Sequence, residues 1–313
     1  MFISVTMNPA VDKTIRLDEL KPGFLNRMTS QTVTAGGKGI NVANDICAMG
    51  GEVVLTGIMG NTNTDVLDEC LNDLEGKGVK VDFYRVNGRN RTNIKIIEAS
   101  GRLTEINEPG IAVSSMDVNN FTNKLLSYAG EGNTFLLTGS APVGVDSDYY
   151  GFLTRVLKEK GSTVIVDADG PLLKNALDSK PTIIKPNEFE LLNYFGEKNM
   201  SEKTLIARAK ELNDKGIDLV IVSRGAKGSI FVNSDSIIKC NAIPVEYSSS
   251  VGGGDAMVAA AAYSKSMDDD YETLIRNAVA ASAHTVSLAT PYFTDANPID
   301  ELKGLVILTE MER

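Results

Sequence analysis

Short apolar runs alternate with helical patterns over most of this chain of 313 residues, and this alternation constrains the fold more than any other feature. We predict strands at residues 2–6, 53–57, 134–138, 163–167, 182–185 and 219–223. We predict helices at residues 40–49, 116–129, 148–160, 172–177, 188–194, 203–215 and 258–263. Strands that alternate with helices of this length form a parallel sheet with helices on both faces. The expected fold class is therefore α/β, a three-layer α/β/α body with a mainly parallel sheet.

Two stretches interrupt this alternation. Residues 10–35 and 79–107 contain short alternating runs separated by turn residues, and these predict β-ribbons. We expect the ribbons to form one small sheet, built from about 11–35 and 79–107, that projects over the main body as a lid or a dimer surface. Because no repeat and no linker rich in proline and serine divides the chain, we expect a single domain over residues 1–313.

The charge of the chain argues against several classes of partner. With 31 basic and 41 acidic residues the net charge is −10, so the overall field attracts neither nucleic acid nor an anionic membrane. The segment from Met1 to Pro9 has no basic start and no long apolar core, which predicts neither a signal peptide nor a membrane anchor and favours a cytoplasmic location. An anionic ligand would need positive charge placed locally.

The cysteines and the single histidine offer little chemistry. Cys47, Cys70 and Cys240 are odd in number and widely spaced, so we predict neither disulfides nor a metal clamp and expect them to be buried apolar residues. His284 lies in an apolar helical run and is expected to be a packed or partly exposed helix residue. Mechanisms that need a histidine base therefore have almost no candidate.

The strongest chemical signal is the segment SVGGGDAM at residues 250–257. Three successive glycines, Gly252, Gly253 and Gly254, let the backbone point its N–H groups at one place, and the helix that follows adds its positive end. Such a nest can stabilise the charge on a transferring phosphoryl group, and Asp255 beside it can accept a proton from an attacking hydroxyl. On this segment alone, a flexible turn capped by an aspartate is an equal alternative.

A second glycine-rich turn, AGGKGINVA at residues 35–43, also opens a helix. Its glycine spacing differs from a Walker A loop, and no Ser or Thr follows Lys38. The turn can bring backbone amides close to sugar hydroxyls while Lys38 meets a phosphate, although a plain helix entry has the same pattern.

A third segment, IIKPNEFE at residues 183–190, places polar groups at a predicted strand end, where α/β sheets bind ligands. Asn187 and Glu190 are spaced so that both can face the water shell of one Mg²⁺ ion. The alternative is an ordinary helix start rich in acids.

Taken together, these motifs resemble the ribokinase-like (PfkB) carbohydrate kinases, and within them the branch of 1-phosphofructokinases and tagatose-6-phosphate kinases. The resemblance runs nearly from end to end, through residues 8–12, 36–43, 91–95, 139–140, 185–188, 223–228 and 252–255. It implies a ribokinase-like fold, ATP as phosphoryl donor, Mg²⁺, a phosphorylated ketohexose as acceptor, and a homodimer formed through the small sheet.

The resemblance also implies roles for individual residues. It places Asp12, Gly37 and Asn41 at the sugar hydroxyls, and Arg27, Lys38, Arg91 and Ser140 at or beside the phosphate of the substrate. It places Lys185, Asn187, Ser223, Gly225, Gly228 and Asn277 on the nucleotide side, with Asn187 and Glu190 organising Mg²⁺ through water. Gly252, Gly253 and Gly254 correspond to the anion hole and Asp255 to the catalytic base.

The chain departs from the family pattern at two positions of this loop. Gly253 stands where alanine is commoner, and Ala256 where a hydroxyl residue often follows the aspartate. Neither change removes an N–H group or the carboxylate, so the expected reaction is unchanged, although an extra glycine adds backbone freedom.

Three cationic side chains, Arg27, Lys38 and Arg91, favour a phosphorylated sugar over a free one. We therefore predict phosphorylation of fructose 1-phosphate to fructose 1,6-bisphosphate. Tagatose-6-phosphate kinase, 6-phosphofructokinase, and ribose or nucleoside kinase are the alternative activities. From a different class, the fold could serve a catalytically silent protein that binds a sugar or a nucleotide.

Overall fold

A ten-stranded sheet forms the centre of the computed structural model, which describes residues 1–198, 201–246 and 251–312. The strands, in chain order, are β1 (Phe2–Thr6), β2 (Ala10–Leu17), β3 (Ser30–Gly36), β4 (Val53–Thr56), β5 (Ile58–Thr62), β6 (Lys80–Val81), β7 (Tyr84–Arg89), β8 (Arg91–Glu98), β9 (Leu103–Asn107), β10 (Thr134–Thr138), β11 (Thr163–Asp167), β12 (Ile183–Ile184), β13 (Leu219–Ser223), β14 (Ser229–Val232), β15 (Ile237–Cys240) and β16 (Leu308–Met311). The helices are α1 (Lys38–Ala48), α2 (Asp65–Gly76), α3 (Ser115–Leu126), α4 (Tyr149–Glu159), α5 (Gly170–Leu177), α6 (Glu188–Phe195), α7 (Glu202–Asp214), α8 (Gly253–Ser266), α9 (Tyr271–Ser287) and α10 (Asn297–Lys303).

Across the large sheet the strand order is β16-β15-β14-β13-β12-β11-β10-β1-β4-β6. The strands from β6 to β13 are parallel, and β14, β15 and β16 extend the sheet in antiparallel fashion. The predicted α/β class with a mainly parallel sheet is confirmed. Because the carboxyl ends of parallel strands meet at one edge, the loops that follow them are brought together there.

Alternate strand residues face two separate cores. On β10, Leu136 packs on one side, while Phe135 and Leu137 pack on the other. The first core is completed by α1, α2, α8 and α9, and the second by α3 to α7. Since successive side chains of a strand point to opposite faces, a strand between two layers of helices is buried throughout, as β10 is.

Most predicted elements lie where the periodicity placed them. Four strands, at 2–6, 134–138, 163–167 and 219–223, have the predicted bounds. The exception among the helices is α8, which begins at Gly253, five residues before the predicted start. The glycines suggested a turn, but Gly253 and Gly254 belong to the first turn of the helix itself, and Gly252 is its N-cap.

A separate four-stranded sheet, called here the small sheet, has the order β3-β2-β8-β9. Strand β2 pairs in parallel with β8, and the two outer pairs are antiparallel. The expectation that residues 79–90 belong to it was wrong: β6 joins the edge of the large sheet beside β4, and β7 pairs with β5. The unpredicted helix α2 explains this, because it makes β4, α2 and β6 a parallel crossover unit.

The cysteines are unpaired, but only Cys240 is buried, and Cys47 and Cys70 are partly exposed, contrary to expectation. His284 lies on α9 and is packed, as predicted, with 9% of its surface exposed. Within the described ranges, no helix combines the length and the apolar character needed to cross a membrane.

The buried side chain of Asn90 joins the two-stranded β5–β7 sheet to the start of β8. Its amide nitrogen donates to the carbonyl oxygens of Gly60 and Thr62 at 3.1 and 3.0 Å, and its amide oxygen accepts from Gly60 N at 2.8 Å. Since the N–H and the carbonyl group of Gly60 are buried, Asn90 satisfies backbone groups that water cannot reach. It also fixes the backbone just before Arg91.

We expect Asn90→Ala to lower the free energy of unfolding by about 2 kcal/mol, because it leaves buried donors and acceptors unpaired. Urea unfolding followed by circular dichroism measures this. The matched control is Asn87→Ala, which removes an exposed hydrogen bond to Asn61 in the same pair of strands and should change stability by less than about 0.5 kcal/mol. Equal effects of the two substitutions would contradict the bridging role of Asn90.

Candidate active site

Polar side chains converge at the carboxyl edge of the parallel strands. Asp167 is the last residue of β11, Lys185 follows β12, and Ser223 is the last residue of β13. The helices α1 and α8 both begin at this edge, with Lys38 and Gly253 as their first residues. Residues that lie far apart in the sequence therefore meet in one site.

Asp255 lies in the first turn of α8 and is buried, with 7% of its surface exposed. Its Oδ2 accepts a hydrogen bond of 2.7 Å from the side-chain amide of Asn41 on α1. Burial raises the pKa of Asp255 to about 6, against the pull of the nearby Lys38 ammonium group. A carboxylate with such a pKa can take up a proton near neutral pH, as a general base must.

A fully buried carboxylate, Asp167, holds two lysines of the site. Its Oδ1 lies 3.0 Å from Lys38 Nζ and 3.3 Å from Lys185 Nζ. Burial alone would raise the pKa of Asp167, but the two ammonium groups outweigh it and hold the pKa below its usual range. Burial likewise opposes the charge on Lys38, yet Asp167 and Asp255 raise its pKa above the ordinary value. Lys38 therefore remains charged in the site.

Sequence reasoning missed Asp167, although a signal was present. It is an acidic residue at the end of an apolar strand that was predicted with the correct bounds. In a parallel sheet that position lies at the ligand-binding edge.

The glycine turn before Asp255 is shaped by its neighbours. Gly252 has φ 90°, a left-handed conformation that side chains rarely adopt, and an added β-carbon would overlap the carbonyl oxygen of Pro291. A β-carbon on Gly254 would lie 3.1 Å from Lys185 Nζ, so this turn and the lysine are in direct proximity. The first N–H groups of α8 have no partner within the helix and face the same region. Ser250, the first residue of the predicted segment, lies outside the described residues.

Asn187 and Glu190 form a reciprocal cap at the start of α6. Asn187 Oδ1 accepts from Glu190 N at 2.9 Å, and Glu190 Oε2 accepts from Asn187 N at 2.8 Å. The structural alternative for this segment, a helix start, is thus present in full. Burial raises the pKa of Glu190, and the nearby charge of Asp167 adds to the rise.

On the small sheet, Asp12 of β2 accepts hydrogen bonds from two side chains of β8. Asn93 Nδ2 lies 2.9 Å from Oδ1, and Lys95 Nζ lies 3.0 Å from Oδ2. The register explains this contact, because Asp12 is directly opposite Asn93. Neither Asn93 nor Lys95 was predicted as a site residue, although both lie at alternate positions from Arg91 and so share its face of the strand.

Arg91 and Ser140 both contact Asn8, in the loop after β1. Arg91 Nε donates to the carbonyl oxygen of Asn8 at 3.0 Å, and Asn8 Nδ2 donates to Ser140 Oγ at 3.4 Å. Burial lowers the pKa of Arg91, while the acids Asp12 and Asp169 oppose this shift. The structure therefore brings Arg91 and Ser140 to the same end of the small sheet as Asp12.

Two predicted residues lie elsewhere. Arg27 is exposed on the loop between β2 and β3, and no hydrogen bond or ion pair joins it to any other described residue. Asn277 donates to Ser264 Oγ at 2.7 Å and contacts Asp269, so it links α8 to α9. Its side-chain amide is engaged there, on the face of α9 that packs against α8.

A cavity of about 720 Å³ opens beside the glycine turn. Among the predicted residues, Ser223, Gly225, Gly228, Gly253 and Gly254 line it. The helix α9 contributes Val279, Ser282, Ala283 and Val286, and not Asn277. The further lining residues are Ala226, Ser229, Asn241, Ala242, Ile243, Pro244, Val245 and Met257. A mostly apolar pocket of this size with polar groups at one end is typical of a site for a small organic ligand.

No group of three or more histidine, cysteine or acidic side chains suited to a metal occurs in the parts of the chain that the structure describes. A metal ion at this edge would therefore be held by few protein ligands.

Val286 of α9 explains why glycine occupies position 253. A β-carbon on Gly253 would lie 2.7 Å from Val286 Cγ1 and 3.2 Å from Ser282 Oγ. A branched side chain is stiff and cannot turn away easily. The side chain of Val286 therefore disfavours the commoner alanine at position 253.

We expect Gly253→Ala to destabilise the protein by about 1–3 kcal/mol through overpacking. In the double variant Gly253→Ala, Val286→Ala, the overlap is removed, so the two effects should be less than additive by about 1 kcal/mol or more. Urea unfolding of the two single variants and the double variant measures this coupling. Additive effects would show that Val286 does not exclude alanine from position 253.

Known proteins resemble this chain over most of its length. The pfkB family carbohydrate kinase model matches residues 5–295. A 1-phosphofructokinase of Xanthomonas campestris is 36% identical over 262 residues, 82% of this chain and 81% of that protein. A 1-phosphofructokinase of Haemophilus influenzae is 30% identical over 99% of this chain and 98% of that protein. The solved structure of phosphofructokinase-2 from Escherichia coli in complex with substrates and products has a TM-score of 0.87 and 25% identity, covering 97% of this chain and 98% of that one. The chain therefore belongs to the pfkB family of carbohydrate kinases.

Proposed function

We propose that this kinase transfers the γ-phosphoryl group of ATP to fructose 1-phosphate and forms fructose 1,6-bisphosphate. The observation that carries the proposal is the buried carboxylate of Asp255, which follows the glycine turn and is hydrogen bonded to Asn41. The two 1-phosphofructokinases compared above cover 82% and 99% of the chain, and this favours fructose 1-phosphate among the phosphorylated ketohexoses.

The acceptor is proposed to bind between the small sheet and the start of α1. Asp12 and Asn41 would accept or donate to sugar hydroxyls, with Gly37 letting the backbone approach. Lys38 and Arg91 would hold the phosphate that the substrate already carries, with Ser140 beside it. Lys38 is charged and held by Asp167, so its ammonium group is already oriented before the substrate arrives.

ATP is proposed to lie in the cavity of about 720 Å³, whose apolar side, formed partly by α9, suits an adenine ring. Ser223, Gly225 and Gly228 would then line the nucleotide. The phosphates would extend toward Gly253 and Gly254, where Lys185 is close enough to neutralise their charge.

In the proposed reaction, Asp255 takes the proton of the acceptor hydroxyl as its oxygen attacks the γ-phosphorus atom. The bond between the γ-phosphorus and the bridging oxygen breaks, and ADP leaves. The N–H groups of Gly252, Gly253 and Gly254 would stabilise the charge on the transferring group without reorganising, because the helix fixes their direction.

The residues present fit a Mg²⁺ ion beside Glu190. Asp167 Oδ2 is buried without a hydrogen-bond partner among the described residues, and burial, with a smaller contribution from the charge of Asp167, raises the pKa of Glu190. A divalent cation held at Glu190 would offset the cost of this buried negative charge. Mg²⁺ keeps several waters and needs few protein ligands, and when bound it neutralises phosphate charge. Glu190 is the proposed ligand, and the cap from Asn187 fixes its position.

The small sheet is proposed to cover the acceptor and to pair with a second copy of the chain. The β2–β3 loop carries large apolar side chains open to solvent, Phe24, Leu25 and Met28, and the face of the small sheet opposite Asp12 adds Val33 and Ile106. Apolar side chains grouped in this way are typical of an interface. Arg27 lies on the same loop, so a role at the phosphate would depend on how the two copies meet. A cytoplasmic location stays a prediction.

We expect release of ADP with fructose 1-phosphate to be faster than with fructose 6-phosphate, tagatose 6-phosphate or fructose. A coupled assay with each sugar at the same concentration measures kcat/KM. A higher kcat/KM with fructose 6-phosphate or tagatose 6-phosphate would replace the proposed substrate by that sugar. A lack of ADP release with every sugar would favour the silent binding protein.

We expect Asp255→Asn to lower kcat at least ~10²-fold, because the amide cannot accept the hydroxyl proton, while binding of ATP is retained. The amide can still accept the hydrogen bond from Asn41. In the wild-type protein kcat/KM should fall as the pH drops below about 6, since protonated Asp255 cannot act as a base. Near-normal turnover by Asp255→Asn would remove Asp255 from this role.

A further inference from the structure

Asp45 is a buried acid that the proposed reaction does not use. It lies on α1 with 0% of its surface exposed, and no ion pair joins it to a described cationic residue. Burial, together with the nearby Asp255, raises its pKa well above the ordinary value, because a charged carboxylate is disfavoured there. A polar acid buried in the packed interior is costly, which calls for a reason other than packing.

The one described hydrogen bond of the Asp45 side chain reaches the segment 288–296. Phe293 N donates to Asp45 Oδ1 at 2.9 Å, and the ring of Phe293 is fully buried. Two residues earlier, the carbonyl oxygen of Pro291 lies against Gly252, where an added β-carbon would overlap it. Asp45 is thus connected to the glycine turn through three residues of backbone.

The position of Asp45 on its helix links this contact to the rest of the site. Lys38, Asn41 and Asp45 are spaced by three and four residues and therefore share one face of α1. Lys38 contacts Asp167, Asn41 contacts Asp255, and Asp45 contacts Phe293. This face of α1 therefore contacts both Asp255 and the backbone segment that packs against the glycine turn.

The segment has a second anchor that does not involve α1. His284 Nε2 lies 3.1 Å from the carbonyl oxygen of Asp295, and its ring packs 5.5 Å from that of Phe293. With this anchor in place, loss of the Asp45 contact would loosen the segment near Pro291 without releasing it completely.

We infer that Asp45 is a positioning residue: by accepting the Phe293 N–H bond, it holds Pro291 against Gly252 and so fixes the glycine turn that precedes Asp255. The inference rests on the proposed function, in which this turn stabilises the transferring phosphoryl group. An apolar residue at position 45 would leave Phe293 N–H without its partner. An asparagine there keeps an acceptor and stays neutral.

The test compares Asp45→Val with Asp45→Asn in steady-state kinetics with fructose 1-phosphate and ATP. We expect Asp45→Val to lower kcat by about 10- to 100-fold, the scale of a small misplacement of catalytic groups. The KM for both substrates should stay within about threefold, because the binding side chains are retained. Asp45→Asn should keep kcat within about threefold of the wild-type value.

The matched control is Asn44→Val, which replaces a buried polar neighbour whose side chain, among the described residues, bonds to Ile40 of its own helix. This control should leave kcat unchanged. An unchanged kcat in Asp45→Val, or an equal loss in Asp45→Asn, would overturn the inference.

Hydrogen exchange of segment 288–296, followed by mass spectrometry, provides a readout that needs no substrate. Exchange should be faster in Asp45→Val and unchanged in Asp45→Asn and Asn44→Val, and unaltered exchange in Asp45→Val would overturn the positioning role. If Asp45→Val does not fold, Asp45→Asn decides alone: it must keep both kcat and the slow exchange. A wild-type protein inactive on fructose 1-phosphate would contradict the proposed function while leaving the exchange result interpretable.

Discussion

The ion pairs of Asp167 with Lys38 and Lys185 are the interaction on which the site depends. A carboxylate with no exposed surface can stay charged only if cations face it, and here both cations come from other elements. Lys38 belongs to α1, on one side of the sheet, and Lys185 follows β12 within it. The three groups therefore fix the acceptor side, the sheet and the glycine turn relative to one another. Removal of Asp167 takes the partner from the buried Lys185, and removal of either lysine leaves the buried carboxylate with one cation instead of two.

The order of most strands and helices in the main body could be predicted because the strands have apolar centres and most helices have a clear period. Pairings that depend on distant residues could not. The direction of β14 to β16 and the partner of β6 depend on which edges of the parallel sheet are free for pairing. No local sequence pattern contains this information. Missing α2, whose buried Leu67, Leu71 and Leu74 have helical spacing, led to the wrong assignment of residues 79–90.

For the site, sequence motifs identified the residues that follow glycines, because a turn with special backbone geometry has a recognisable composition. They did not identify partners that act from other elements, such as Asp167, Lys95 and Asp45, since each is an ordinary acid or base in its own segment. Asn277 lies on the expected helix α9, but its side chain contacts Ser264 of α8. Ser282 and Val286, further along α9, are the residues that line the cavity.

The way the small sheet is attached has a mechanical consequence. Three residues separate β1 from β2, and β3 ends next to Gly37, the N-cap of α1. Both connections to the main body are therefore at one end of the small sheet. From this root, at the pair Ala10–Gly36, the sheet extends six residues to Arg16–Ser30, about 20 Å at the usual rise per strand residue. Asp12 lies about 7 Å from the root on the same scale. A rigid tilt about the root would therefore move the far end roughly three times as far as Asp12. The polar residue Asp12 therefore lies close to the root, where a large movement of the far end of the small sheet produces only a small displacement.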